Sequence, residues 1–202
     1  MPSLSTLKLD LFELAKIRGF CDPLTGCFPL SERALSGLLC LYAQRETIRW
    51  DMVPLYDVES FERKGCAAHL ITHPGSFLTE HVLLHRIWGG MPADILYVSS
   101  DSASVVMFEN KIGGDIGYEP TPESNQLARQ LDCLINLRRG LIRSASLLLI
   151  STRSMLDLGW YRTEFLGALK HKDRYMTAPG YLATWEDVFD SILPMARAST
   201  CT

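Results

Sequence analysis

The chain has 202 residues and a formal charge of −3, with 47% hydrophobic and 21% charged side chains. That balance excludes a disordered, collagen-like or coiled-coil chain, and the slight acidity excludes a nucleic-acid coat held by bulk charge. At 22.7 kDa the chain is expected to form one domain, or one with an appendage, and to bury roughly 70% of the surface its unfolded form exposes.

No apolar run approaches about 18 residues, so no membrane span is predicted. The start Met1-Pro2-Ser3-Leu4 lacks a basic region followed by an apolar one, so no signal peptide is expected and the protein is read as cytoplasmic. The six cysteines are then expected as reduced thiols, with Cys40 and Cys133 as small buried hydrophobes inside helical patterns. Cys21 and Cys27 have no second pair at matching spacing, so a closed four-ligand zinc site is not expected there.

In chain order, Leu4, Leu7, Leu11, Leu14 and Ala15 repeat at helical spacing, and Gly19, Pro23, Gly26 and Pro29 mark a loop. Ser31 can cap a helix whose stripe is Ala34, Leu35, Leu38, Leu39, Leu41 and Tyr42. A strand is expected near Trp50–Tyr56. Residues 1–65 are read as a helical N-terminal extension and 66–202 as the core. Ser76 is expected to cap a helix to about Trp88 that Gly89-Gly90 ends. Ile95–Ser99 and Ala103–Lys111 read as two strands around a polar turn at Ser100-Asp101-Ser102. Residues 113–122 form a loop rich in glycine and proline. Thr121 and Pro122 then open a helix to about Leu137, followed by a strand at Leu147–Ser151 and a helix near Tyr161–Lys170. Thr184 with Asp187 three residues on caps a last helix to about Leu193. This order predicts an α/β fold, a mixed central sheet flanked by helices.

Charge is uneven: residues 66–125 carry two basic and seven acidic side chains, and residues 126–175 carry nine basic and four acidic. Carboxylates that hold a cation beside basic groups that hold phosphates would give such a split, and so would a solvated helix end at Arg138, Arg139 and Arg143.

The informative segments are Pro92-Ala93-Asp94-Ile95-Leu96-Tyr97 and Phe108-Glu109-Asn110-Lys111-Ile112. A hairpin centred on Asp101-Ser102 sets Asp94 opposite Glu109, and directly opposed residues share a face with Cβ atoms about 4.5–5.5 Å apart. Lys111, two residues past Glu109, falls on that face too, while Leu96, Val98, Val105 and Met107 continue it as core. Two close carboxylates repel each other, and a hard divalent ion resolves the repulsion. The Asn110 carbonyl can add an oxygen, and Lys111 can orient water or stabilise charge developing on a phosphate. A plain surface cluster of Asp, Glu and Lys at a strand end is the competing explanation.

Asp94 followed fifteen residues on by Glu109-x-Lys111 resembles the PD-(D/E)xK nuclease superfamily, with Pro92-Ala93-Asp94 as the first half-motif. Glu80 in Thr79-Glu80-His81 resembles the Glu these proteins often place on a helix before the first motif strand. Gln126 in Asn125-Gln126-Leu127-Ala128-Arg129-Gln130-Leu131 resembles their helix Gln. The match spans about residues 76–152, with Thr184-Trp185-Glu186-Asp187 a weaker late echo. Pro92 lies one residue further from Asp94 than in the strict form, and Gln130 stands where many relatives have an aromatic. The resemblance implies a restriction-endonuclease-like fold with a mixed four-stranded core sheet. It implies Mg²⁺ or Mn²⁺ on Asp94 and Glu109, Glu80 as an outer ligand through water, and Gln126 beside the site or on the nucleic-acid backbone. The reaction implied is phosphodiester hydrolysis on DNA, less readily RNA, with Arg129, Arg138, Arg139 and Arg143 on phosphates. Cutting both strands of a duplex takes two sites or two events, so a homodimer is one arrangement open to the chain. The alternative function is a silent nuclease-fold module that binds a protein partner through residues 1–65.

The remaining candidates read as structural. His81 and His85, and likewise His69 and His73, are spaced four apart without a third ligand nearby. Trp160, Tyr161 and Phe165 are expected in the core rather than stacked on bases.

Overall fold

The structure, a computed structural model, describes residues 32–72, 74–85, 89–111, 125–138, 142–172 and 178–192. Seven strands form one mixed, open sheet: β1 Pro54–Tyr56, β2 Arg63–Cys66, β3 Gly75–His85, β4 Gly89–Ser99, β5 Ser104–Asn110, β6 Ser144–Ser151 and β7 Gly180–Thr184. Their spatial order is β2-β1-β7-β6-β5-β4-β3. The strands β5, β6 and β7 run parallel, and the neighbours on both sides are antiparallel.

The central strands are nearly continuous apolar runs because both sheet faces are covered. On one face pack α1 (Glu32–Gln44) and α5 (Trp185–Asp190), with Leu35, Leu39, Trp50, Phe77, Tyr97, Phe108, Ile150 and Trp185 in the core. On the other pack α2 (Gln126–Arg138), α3 (Arg153–Asp157) and α4 (Trp160–Lys172), with Leu96, Met107, Leu127, Leu131, Leu149, Tyr161 and Phe165. Along β6, Leu147 and Leu149 face the second layer while Leu148 and Ile150 face the first, the two-residue alternation of a strand.

Three expectations change. Residues 76–85 are not a helix: residues 75–85 form β3, paired to β4 from Gly75↔Ser99 to His85↔Gly89, and residues 86–88 lie outside the described part. Phe, Thr and Val favour a strand here, and Phe77 stacks on Trp50 with centroids 5.8 Å apart, a tertiary contact that the local apolar spacing does not encode. Gly89 and Gly90 therefore begin β4 instead of ending a helix. The sheet also exceeds the four strands implied by the resemblance. Finally, the described part of 1–65 is not purely helical, since it contributes α1 and β1, and the proposed 65/66 boundary falls inside β2. That segment shares its core with the rest of the chain: α1 packs through Leu35 and Leu39 against the sheet, and Tyr56 of β1 pairs with Leu182 of β7.

Other expectations hold closely. The helices starting after Ser31 and near 161 are present as α1 and α4, and the 147–151 strand is present with three more residues at its start. Thr184 caps α5 by accepting the Asp187 N–H, although that helix ends at Asp190. α2 begins at Gln126, and its first turn is held by Asn125, whose Oδ1 accepts the Ala128 N–H at 2.7 Å. Cys40 and Cys133 are buried free thiols, and burial pushes both thiol pKa values up. Tyr161 and Phe165 are core residues, whereas Trp160 is 40% exposed. The helix expected at 4–18, the 113–122 loop, the Thr121 cap, Cys21, Cys27 and His73 lie outside the described residues. Among the described residues no helix is long and apolar enough to cross a membrane.

Candidate functional site

The β4–β5 hairpin adopts the predicted register. Ile95 pairs with Phe108, Leu96 with Met107, Tyr97 with Val106 and Val98 with Val105. One step on, that register sets Asp94 against Glu109. The turn that fixes it is held by Asp101, whose Oδ1 accepts from Ser99 Oγ at 2.6 Å and from the Ala103 N–H, with Ser102 in the left-handed region at φ 53°. The face is also as expected, because Leu96, Val105 and Met107 join the core beneath α2.

The register extends to Glu80. On β3 and β4, Thr79 pairs with Ile95 and His81 with Ala93, so backbone positions 80, 94 and 109 occupy one rung of three adjacent strands. The sequence reading put Glu80 on a helix; it is a strand position instead, and its side chain lies outside the described part.

At the carboxyl end of β5 the Asp94 carboxylate reaches the backbone of the neighbouring strand. Its Oδ2 accepts the Asn110 N–H at 2.7 Å. A strand residue directs its N–H and C=O toward the same neighbour, so the Asn110 carbonyl also faces β4. Glu109 is fully buried and Lys111 nearly so, with Lys111 Nζ 2.8 Å from Glu109 Oε1. The other carboxylate oxygen, Oε2, accepts from Gln130 Nε2 of α2 at 2.5 Å. Glu109 Oε1 gains no well-directed hydrogen bond despite its close ammonium. Burial, and then the nearby Asp94 charge, push the Glu109 pKa up to about 7, against the opposing pull of Lys111 and Gln130. Glu109 and Lys111 are therefore not part of a surface cluster: they sit where burying each charge costs several kcal/mol, while Asp94 is partly exposed.

Sequence reasoning named Gln126, but the amide that reaches Glu109 belongs to Gln130, one turn on. The signal was present, since Gln130 is a polar residue inside the apolar stripe of Leu127, Leu131 and Leu134, and it is fully buried. Ser151 was also missed. It follows Leu149 by two residues on the same face of β6, next to the end of β5, and its buried Oγ has no hydrogen-bond partner among the described residues.

Of the four arginines expected on phosphates, one is shown away from this edge. Arg143 lies at the start of β6, the opposite end from Glu109, and its exposed side chain pairs with Asp101 at 3.5 Å. Arg129 is half-buried on α2. The side chain of Arg138, and Arg139 altogether, lie outside the described part. The late echo at 184–187 is structural in its contacts: Thr184 caps α5, Glu186 accepts the Arg153 N–H at 3.0 Å, and Asp187 accepts from Tyr56 Oη and Arg153.

The donor set fits a hard divalent cation. It comprises the buried Glu109 carboxylate, the partly exposed Asp94 carboxylate whose charge raises the Glu109 pKa, and the Asn110 carbonyl on the β4 side, all oxygen donors. Among the described side chains, no group of three or more His, Cys, Asp or Glu gathers as a metal cage, so the described acidic donors are the pair Asp94 and Glu109. The chain matches no protein-family model, no curated protein and no solved structure.

Proposed function

We propose that the protein is a divalent-cation-dependent phosphodiester hydrolase, an endonuclease-like enzyme acting on DNA and less readily on RNA. The observation that carries this reading is the buried Glu109–Lys111 pair at the carboxyl end of β5, in register with Asp94. Burying the Glu109 and Lys111 charges is costly, where an apolar pair of similar volume would pack without that cost. The resemblance of Asp94 and Glu109-x-Lys111 to PD-(D/E)xK nucleases supplies the reaction class and the substrate class.

Asp94, Glu109 and the Asn110 carbonyl would hold Mg²⁺ or Mn²⁺, with Glu80 through water. When bound, such an ion lowers the pKa of its water and neutralises charge on the phosphate. Lys111 supplies a fixed positive charge. An ammonium held 2.8 Å from Glu109 suits orienting water and stabilising negative charge on the phosphate. Gln130 holds one oxygen of Glu109 and leaves the other turned toward Lys111.

The close Lys111–Glu109 contact favours a second reading, a silent module of this fold in which the pair satisfies itself. Cleavage of plasmid, linear duplex, single-stranded DNA and RNA with Mg²⁺ and Mn²⁺ separates the two. The enzyme reading predicts cutting by wild type and a loss of at least about 100-fold in Glu109→Gln and Lys111→Met. A folded wild type inert on all four substrates, or a Lys111→Met variant as active as wild type, overturns it.

A further inference from the structure

The strand that carries Glu109 and Lys111 is anchored from behind. Strand alternation turns Asn110 to the opposite face, where its Nδ2 donates to Ser36 Oγ of α1 at 2.6 Å. Asn110 is fully buried and Ser36 is 1% exposed. Around them Leu35, Leu39, Phe108 and Ile150 make an apolar layer. An amide in such a layer is expensive unless hydrogen-bonded, and among the described residues the Asn110 Oδ1 has no partner. An aliphatic side chain, like those of its neighbours, would stabilise this position better. Core packing therefore does not account for the Asn, but its place in the strand does. Asn110 is the last residue of β5, where pairing ends, and its N–H holds the Asp94 carboxylate. One residue thus ties Asp94 on one face to α1 on the other.

We propose that Ser36 is a positioning residue for the cation site: its hydroxyl fixes the Asn110 side chain, and through it the strand end that presents Glu109, the Asn110 carbonyl and Lys111. The inference rests on the cation-dependent reading above. It gives the segment before residue 66 a role in forming the site, without any contact to substrate.

The test is calorimetric Mn²⁺ binding to the full chain, alongside hydrogen exchange of the Asn110 amide in the metal-free protein. Removing a group that orients a ligand typically weakens metal binding 10–100-fold, so Ser36→Ala is expected to raise the Mn²⁺ dissociation constant at least about tenfold and to speed the Asn110 exchange. Ser36→Thr keeps the hydroxyl and should restore affinity to within about threefold of wild type on that scale. Leu39→Ala, a buried cavity on the same helix, separates loss of the hydroxyl from loosening of α1, and should leave the Mn²⁺ affinity near wild type despite a lower melting temperature. Unchanged Mn²⁺ affinity in Ser36→Ala, or an equal loss in Leu39→Ala, overturns the role of the hydroxyl. A wild type that binds no Mn²⁺ overturns the cation reading itself, and the role of Ser36 falls with it.

Discussion

Glu109 sets the behaviour of the site at the residue scale, because its carboxyl is buried among groups that pull its protonation in opposite directions. Burial and Asp94 favour the neutral acid and raise the pKa to about 7 from an ordinary 4.5, while Lys111 and Gln130 favour the anion. A folded-state pKa above the unfolded value means that the contribution to stability is full below about pH 4.5 and is lost as pH rises through about 7. The lowered carboxyls of Asp51, Asp57 and Asp101 act in the opposite sense, below the ordinary carboxylate range, and do not enter this window. The metal-free protein should therefore lose on the order of 2–3 kcal/mol between pH 5 and pH 8 through this group. Thermal melts across that range should show the slope in wild type and a flatter one in Glu109→Gln; equal slopes would remove Glu109 as the cause. Lys111→Met leaves the Glu109 anion buried without its cation, and at pH 8 should cost about 3–5 kcal/mol in a denaturant titration.

Whole elements show what could be read locally. The β4–β5 hairpin was legible to the residue, because the polar turn, the alternation of Leu96, Val98, Val105 and Met107 and a two-residue period leave only one register that keeps the core face dry. The capped start of α5 was legible for the same reason: the Thr184–Asp187 contact is local. Thr184→Ala should lower stability by about 1 kcal/mol, read as a melting-temperature shift, and no shift would make the cap incidental. By contrast, β3 was not legible. Its apolar residues fit a helix as well as a strand, and pairing with β4 and the Trp50 contact decided the matter from a distance. As a strand position, Glu80 lies in register with Asp94 instead of on a helix face. Close packing between elements is equally invisible to local pattern. Gly180 of β7 leaves room for Phe165 of α4, and a Cβ there would come within 2.5 Å of that ring. Gly180→Ala should destabilise the fold by about 1–3 kcal/mol, and a neutral result would show that α4 can shift.

For the whole molecule, the parallel strands β5, β6 and β7 bring their carboxyl ends to one edge, the side of an α/β sheet where ligands commonly bind. Asp94, Glu109 and Lys111 meet there with Gln130 from α2, while Asn110 reaches back to Ser36. The acidic half of this arrangement was legible in the sequence because it lies within one hairpin. Gln130 was marked only as a polar residue within an apolar stripe, and neither its partner nor that of Ser36 was legible, because helices packed on opposite faces bring them in from 21 and 74 residues away. Of the basic half of the chain, Arg143 sits at the far edge, paired with Asp101. The account stands or falls on one hard cation shared by two strands. Titrating Mn²⁺ into wild type, Asp94→Asn and Glu109→Gln measures this directly. The expected result is a saturable site in wild type that is lost in both variants while their folds persist; no binding by wild type, or undiminished binding by either variant, would contradict it.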